Sequence, residues 1–251
     1  MRNLRGTRSL HQAGLTLVEL MVAMVLGLLL TAAVIQVFAG SRSSNTVQGG
    51  MSRLQENARF ALDALGRDIA NAGFTRSFYR LADGSENARL TLGSTLNNVS
   101  AYAPLLFLPE AFTASDTIEV NYEAATDCLG APTPNGVASN RYFLDGTDLM
   151  CLGNGAATPG LIAEHVENLQ FLYGIDTDED RAANSFVTAD QLAADSVIVA
   201  VKVALLTSTG DPVGMDSEAR YSLLDIPAVG PFSDRRLRQV FSRTIMLRNN
   251  T

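Results

Sequence analysis

Three sets of side chains in this sequence have the type and spacing to do chemistry. The first is a lone carboxylate, Glu19, five residues past Gly14 in the run GLTLVELMVAMVLGLLLTAAVIQVF at 14–38. An ionisable group inside so apolar a segment is costly, needs a counter-charge and marks a functional position by default. The second is Asp176, Asp178 and Asp180 in IDTDEDRAANSF, a D-x-D-x-D spacing that could wrap oxygen ligands around Ca²⁺. A full calcium loop also needs Gly at its sixth place and Glu at its twelfth; here those are Arg181 and Val187. The loop therefore reads first as a solvated acidic connection, with Ca²⁺ as the sharper alternative. The third set is Cys128 and Cys151, the only cysteines. Both follow the apolar run, on the side expected to be oxidising. A disulfide between them closes a loop of about 24 residues and contributes on the order of 3 kcal/mol in the chain-entropy model; two free thiols are the alternative.

Catalysis finds little here. The histidines are His11 and His165, and no G-x-S-x-G, H-E-x-x-H or P-loop string occurs. His165, in AEHVENL at an expected strand start, reads as a surface or partly packed residue. No residue is proposed as catalytic and no organic cofactor is implied. The formal charge of −7 argues against general nucleic-acid binding, which needs a basic patch.

The elements that must position these groups begin with the apolar run. From Leu15 to Phe38, at 1.5 Å per residue, it is about 36 Å long, against a hydrocarbon core of about 30 Å. The preceding residues 1–14 carry Arg2, Arg5 and Arg8 and no acid, so they stay cytoplasmic by the positive-inside rule and the rest is exported. A plain N-terminal anchor with a stray acid is the bland reading. Residues 40–50 (GSRSSNTVQGG) are small and polar and are expected to loosen the helix where it leaves the membrane. Periodicity then returns. Val47, Met51, Leu54, Ala58, Ala61, Leu65, Ile69 and Ala72 form one apolar helical face, with Gly73 as the stop. Arg53, Glu56, Arg59, Asp63, Arg67 and Asp68 are expected mostly off that face.

From residue 74 the pattern is loops and strands. Ile118, Val120 and Tyr122 alternate; Asp145-Gly146 lies between two apolar runs as a hairpin signal; Leu169, Phe171 and Tyr173 share one side of a strand. Residues 196–207 are apolar on both faces, a central strand, and 238–247 close the chain as an antiparallel one.

GLTLVEL resembles the cleavage motif of type IV pilins and pseudopilins. The resemblance implies that a prepilin peptidase cuts between Gly14 and Leu15, that the new amino terminus is methylated, and that Thr16 and Glu19 are the motif's threonine and fifth-position acid. Leu15 departs from the usual Phe. Cleavage would leave 16 bases against 26 acids, a charge of −10. It would also create an amine able to pair with Glu19 of a neighbour in an apolar filament core. ENARFALDALGRDIANAGF at 56–74, N-R-Y-F at 140–143, and VKVALLTS…FSRTIMLRN resemble the PilW family of minor pilins. That family often has a cysteine after AGF; Thr75-Arg76-Ser77 stand here.

The implied fold is α+β and type IV pilin-like: a cleaved leader (1–14), a transmembrane and assembly half-helix (15–39), an amphipathic half (40–73), and a periplasmic domain (74–251) with the helix packed on antiparallel sheet. The implied function is a minor pilin that helps prime pilus assembly and sits at or near the tip. A J-type pseudopilin of type II secretion and a tip adhesin or DNA-uptake module are the alternatives. Partners would be the prepilin peptidase, other minor and major pilins and the inner-membrane assembly platform. The protein would reside in the inner membrane, then on the pilus.

Overall fold

The computed structural model describes residues 16–74, 115–193, 196–213 and 218–248. Its first element is α1, Leu17–Asn71, a single helix through both the apolar and the amphipathic segments. The expected loosening at 40–50 does not occur. Polar residues here satisfy the helix instead of breaking it: Thr46 Oγ1 donates to the Arg42 carbonyl at 3.0 Å, as Thr31 Oγ1 does to that of Gly27 at 2.8 Å. Gly50 serves close packing, since a Cβ there would lie 3.2 Å from Thr209 Cγ2. The helix stops where glycine was expected to stop it. Gly73 adopts φ +75° and donates its N–H to the Asn121 carbonyl at 2.9 Å.

The chain forms two compact units with a boundary between Thr46 and Val47. In the second unit, β1 (Ile118–Glu123), β2 (Val137–Asp145), β3 (Asp148–Gly153) and β4 (Gly160–Ala163) make an antiparallel meander. The hairpin between β2 and β3 pairs Asp145 with Asp148, leaving Gly146 and Thr147 as the turn. Gly146 takes φ +63°, the backbone a two-residue turn with glycine first requires. A second sheet has the order β10-β7-β5-β6, built from β5 (Val166–Asp176), β6 (Ser185–Val187), β7 (Val197–Ser208) and β10 (Arg238–Met246). The short hairpin β8–β9 (Tyr221–Leu223, Ile226–Val229) completes the fold.

One core gathers the helix stripe and both sheets. Ala61, Leu65, Ile69 and Ala72 are buried with Ile118 and Val120 of β1, Leu169, Phe171 and Tyr173 of β5, and Val201, Val203 and Leu205 of β7. The opposite face of β7 is covered too: Ala204 and Leu206 pack with Leu223 and Val229 of the β8–β9 hairpin. That double cover is why 196–207 carries no polar alternation.

β6 reaches only Tyr173–Ile175 of β5. The next stretch of that edge is taken by the approach to β1. The Asp116 N–H donates to the Leu169 carbonyl at 2.8 Å, and Asp116 Oδ2 accepts the Phe171 N–H at 2.8 Å. Burial pushes the Asp116 carboxyl up to about 6; the Phe171 N–H opposes the shift and the Asp225 charge adds to it. A folded state that holds this proton more tightly than the unfolded chain gains stability below about pH 4. It loses that gain as pH rises through about 6, by up to about 3 kcal/mol. Asp116→Asn is expected to flatten this loss and raise the melting temperature at pH 7, read from thermal melts at pH 4, 5, 6 and 7.

Candidate functional site

Thr16 immediately precedes α1, and Glu19 stands three residues on, in its first turn. Thr16 Oγ1 accepts the Glu19 N–H at 3.3 Å, and the Thr16 carbonyl accepts the Leu20 N–H at 3.2 Å. T-x-x-E is the spacing of a helix-capping box, so Thr16 acts locally by fixing the helix start from which Glu19 projects. The spacing was legible in the sequence, where Thr16 figured only as a motif residue. A carboxylate here also complements the positive end of the helix dipole. Gly14 and Leu15 lie outside the described residues.

Beyond Glu19, none of the described residues of the first unit covers the helix. Leu17, Met21, Met24, Leu28, Ile35 and Phe38 are all more than half exposed, and this is the helix long and apolar enough to cross a membrane. So continuous an apolar surface on a single chain calls for lipid or other helices around it. At its far end the Arg42 guanidinium lies 4.4 Å from the Phe38 ring centroid.

The amphipathic half is fastened by a residue expected to face solvent. Asp68 is only 9 % exposed. Its Oδ2 accepts the Tyr142 hydroxyl at 2.7 Å and Asn140 Nδ2 at 2.7 Å, and its Oδ1 accepts the Tyr122 hydroxyl at 2.9 Å. One helical side chain is thus bonded to β1 and to two positions of β2. Burial, followed by the Asp68 charge, pushes both tyrosine hydroxyls well above their ordinary value, which keeps them protonated donors. Asn140 carries the connection on, its Oδ1 accepting the Cys128 N–H at 3.0 Å. Cys128 is disulfide-bonded to Cys151 on β3, with a Cα–Cα distance of 6.6 Å. The loop around it closes on buried Asp127, which accepts N–H groups from Leu129, Ala131 and Gly155 at 2.9–3.0 Å.

Two sequence profiles match this chain. The PilW profile, described as type IV pilus-assembly protein W, covers residues 138–249, from β2 through β10. The prokaryotic N-terminal methylation motif covers residues 9–35, spanning the Thr16–Glu19 cap. Together they take in more than half of the chain. Residues 138–249 form a PilW-family domain. A type IV-like pilin from Thermus thermophilus is similar in structure, at 16 % identity and a TM-score of 0.44, over 78 % of this chain and 96 % of that one. No curated protein matches the sequence. As a PilW-family pilin the protein is a structural subunit, with a helix suited to membrane anchoring, processing by prepilin peptidase and contact with other pilins.

The remaining sequence-predicted groups of this pilin fall in the second unit. Asp176, Asp178 and Asp180 bring carboxylate oxygens within 4.8 Å of one another. The loop already uses them. Asp176 accepts N–H groups from Asp178 (3.2 Å), Glu179 and Arg181 (both 2.8 Å), and Asp180 accepts that of Ala182 (2.7 Å). Burial opposes the Asp176 charge, yet these N–H groups prevail and hold its carboxyl below the ordinary value. Arg181 adopts φ +67°, so the sixth position keeps the left-handed backbone that glycine would take freely. His165 is partly packed, its ring lying against Gly210, where a Cβ would come within 2.6 Å of Nε2. Sequence reasoning passed over Arg238. Its guanidinium pairs with Glu167 (Nε–Oε2 2.6 Å) and Asp234 (Nη1–Oδ1 2.7 Å) and stacks on Phe232 at 3.8 Å. Glu167 reaches it because β5 bulges between Val166 and Asn168. Glu167 is the one charge in VENL, and nothing in the sequence names a partner 71 residues away.

Asp68→Ala is expected to cost about 3 kcal/mol, because it leaves buried donors on Tyr122, Tyr142 and Asn140 without their acceptor. Tyr142→Phe removes one bond and costs about 1 kcal/mol. Urea unfolding of the detergent-solubilised protein measures both.

Proposed function

We propose that this PilW-family pilin is a minor pilin that primes type IV pilus assembly and stays at or near the tip. The observation that carries the reading is an apolar half-helix left exposed among the described residues, headed by a carboxylate at its capped start. The precursor enters the inner membrane with its basic leader in the cytoplasm, and the domain from Val47 onward is periplasmic. Prepilin peptidase cuts between Gly14 and Leu15, and the new amine is methylated. Glu19 then draws the amino terminus of a neighbouring pilin into register, because two charges in an apolar helix bundle are tolerated only as a pair. The cap by Thr16 supports this by fixing the direction in which Glu19 leaves the helix. The PilW profile over 138–249 supports the pilus over the secretion machine. The minor and major pilins and the assembly platform are the partners that such a route requires.

Intact mass and N-terminal sequencing of the membrane-extracted protein test the first step. The chain is expected to begin at methylated Leu15, and Gly14→Ala to retain the full precursor mass. Glu19→Ala is expected to be processed normally yet enter pili at about a tenth of the wild-type level or less, the scale of losing a buried ion-pair partner. Normal incorporation of that variant would remove the pairing step.

The Asp176 loop takes the bland role in this reading, a solvated acidic turn closed on its own N–H groups. Titration with CaCl₂ by calorimetry is expected to give no saturable heat and no change in melting temperature. A stoichiometric, chelator-reversible signal lost in Asp178→Asn would assign the three carboxylates to Ca²⁺ instead.

A further inference from the structure

Among the described residues, no further strand pairs with either end of the second sheet, and the two edges are of opposite charge. On one side is β10, nine residues long, with Ser242, Arg243 and Thr244 exposed and Met246 51 % exposed. A groove of about 420 Å³ runs between this strand and α1, lined by Asp63, Gly66, Arg67, Arg243, Met246 and Arg248 among others. Gly66 leaves room for the Arg243 guanidinium, which bonds Asp63 at 2.8 Å. Three arginines against one aspartate make the groove basic, an anomaly in a chain of net charge −7. Sheet edges are usually short, bulged or covered, because their free N–H and C=O groups template another strand.

On the other side is β6, three residues long. It lies between the acidic loop and a short turn, so Asp178, Glu179, Asp180 and Asp190 flank it with Arg181 as the counter-charge; all five are exposed. The first sheet offers no comparable edge at β1, whose outer side is bonded through Gly73 N–H to Asn121 and Glu123 N–H to Phe74.

We infer that the β10 groove of one molecule receives the acidic β6 edge of a second copy of this chain. The contact is heterologous, so it propagates head to tail instead of closing as a two-fold dimer. β6 is too short to supply more than a few backbone hydrogen bonds. Charge therefore sets the register, and the contact weakens as salt screens it. The inference concerns the exported domain and is independent of the Glu19 pairing.

The test uses the full chain in detergent micelles with Thr244→Cys and Ser185→Cys on separate molecules, the native disulfide intact and a bismaleimide spacer of about 8 Å. Within one molecule these edges are three strand spacings, about 14 Å, apart. Mixing the two variants is expected to give a covalent dimer, and the double variant a ladder, while Ser185→Cys alone gives neither. Arg243→Glu with Arg248→Glu, or 0.5 M NaCl, is expected to reduce the yield about tenfold, and adding Asp178→Arg with Asp180→Arg to restore it. Recovery in the swapped chain separates lost attraction from lost folding. Monomer alone would overturn the inference. So would a yield indifferent to salt and charge, which marks mere co-residence in a micelle through the anchors, or cross-linking only to a different pilin.

Discussion

A carboxylate inside the helix–sheet interface governs how the exported half of this protein holds together. Asp68 projects from the same face as Leu65 and Ile69, and two tyrosine hydroxyls and one amide converge on it. Apolar packing alone is non-directional and would let the helix slide or rotate over the sheet at small cost. Hydrogen bonds to a buried charge do not permit that, because any shift strands a charge and its donors without water. The network therefore fixes rotation and register, while Ala61, Leu65 and Ile69 supply the burial. Asn140 extends the constraint to the disulfide loop, so the cysteine bridge and the helix joint form one continuous piece of polar structure.

The membrane half of α1 is governed by the opposite condition. Its apolar side chains are exposed among the described residues, and its one acid sits beside a threonine cap. A capped start fixes the helix geometry around Glu19, so little backbone freedom is left there. The same chain thus holds one carboxylate bonded by three side chains of its own fold and another set in an apolar helix among exposed side chains. Asp68 joins helix to sheet; Glu19 stands at the capped start of the apolar half.

The second sheet repeats this division. Its centre, β7, is covered on both faces, and the Glu167 bulge sends a carboxylate to the almost fully buried Arg238 side chain, tying β5 to β10 across it. Among the described residues, no further strand pairs with its two ends, one basic and one acidic. Glu167 and Arg238 are matched within the fold, while the exposed edges carry charge in excess.

The long helix, its apolar stripe, the glycine stop at Gly73, the Asp145-Gly146 hairpin and the doubly covered β7 were all legible in the sequence. Each is a local property of period, turn chemistry or capping. Two readings failed for one reason. Residues 40–50 were expected to loosen the helix, but Thr46 bonds its own helix and Gly50 fits against Thr209. Asp68 was expected at the surface, but the hydroxyls that offset its burial come from strands 54 and 74 residues away. Neither partner is visible in a helical pattern, which counts an acid as polar whatever faces it. The Glu167–Arg238 pair was invisible for the same cause. The amino-acid sequence by itself determined the amphipathic helix, the long strands and that Glu19 is out of place. Only the tertiary structure decided which charges are satisfied at home, because satisfaction depends on distances between residues that the chain order keeps far apart.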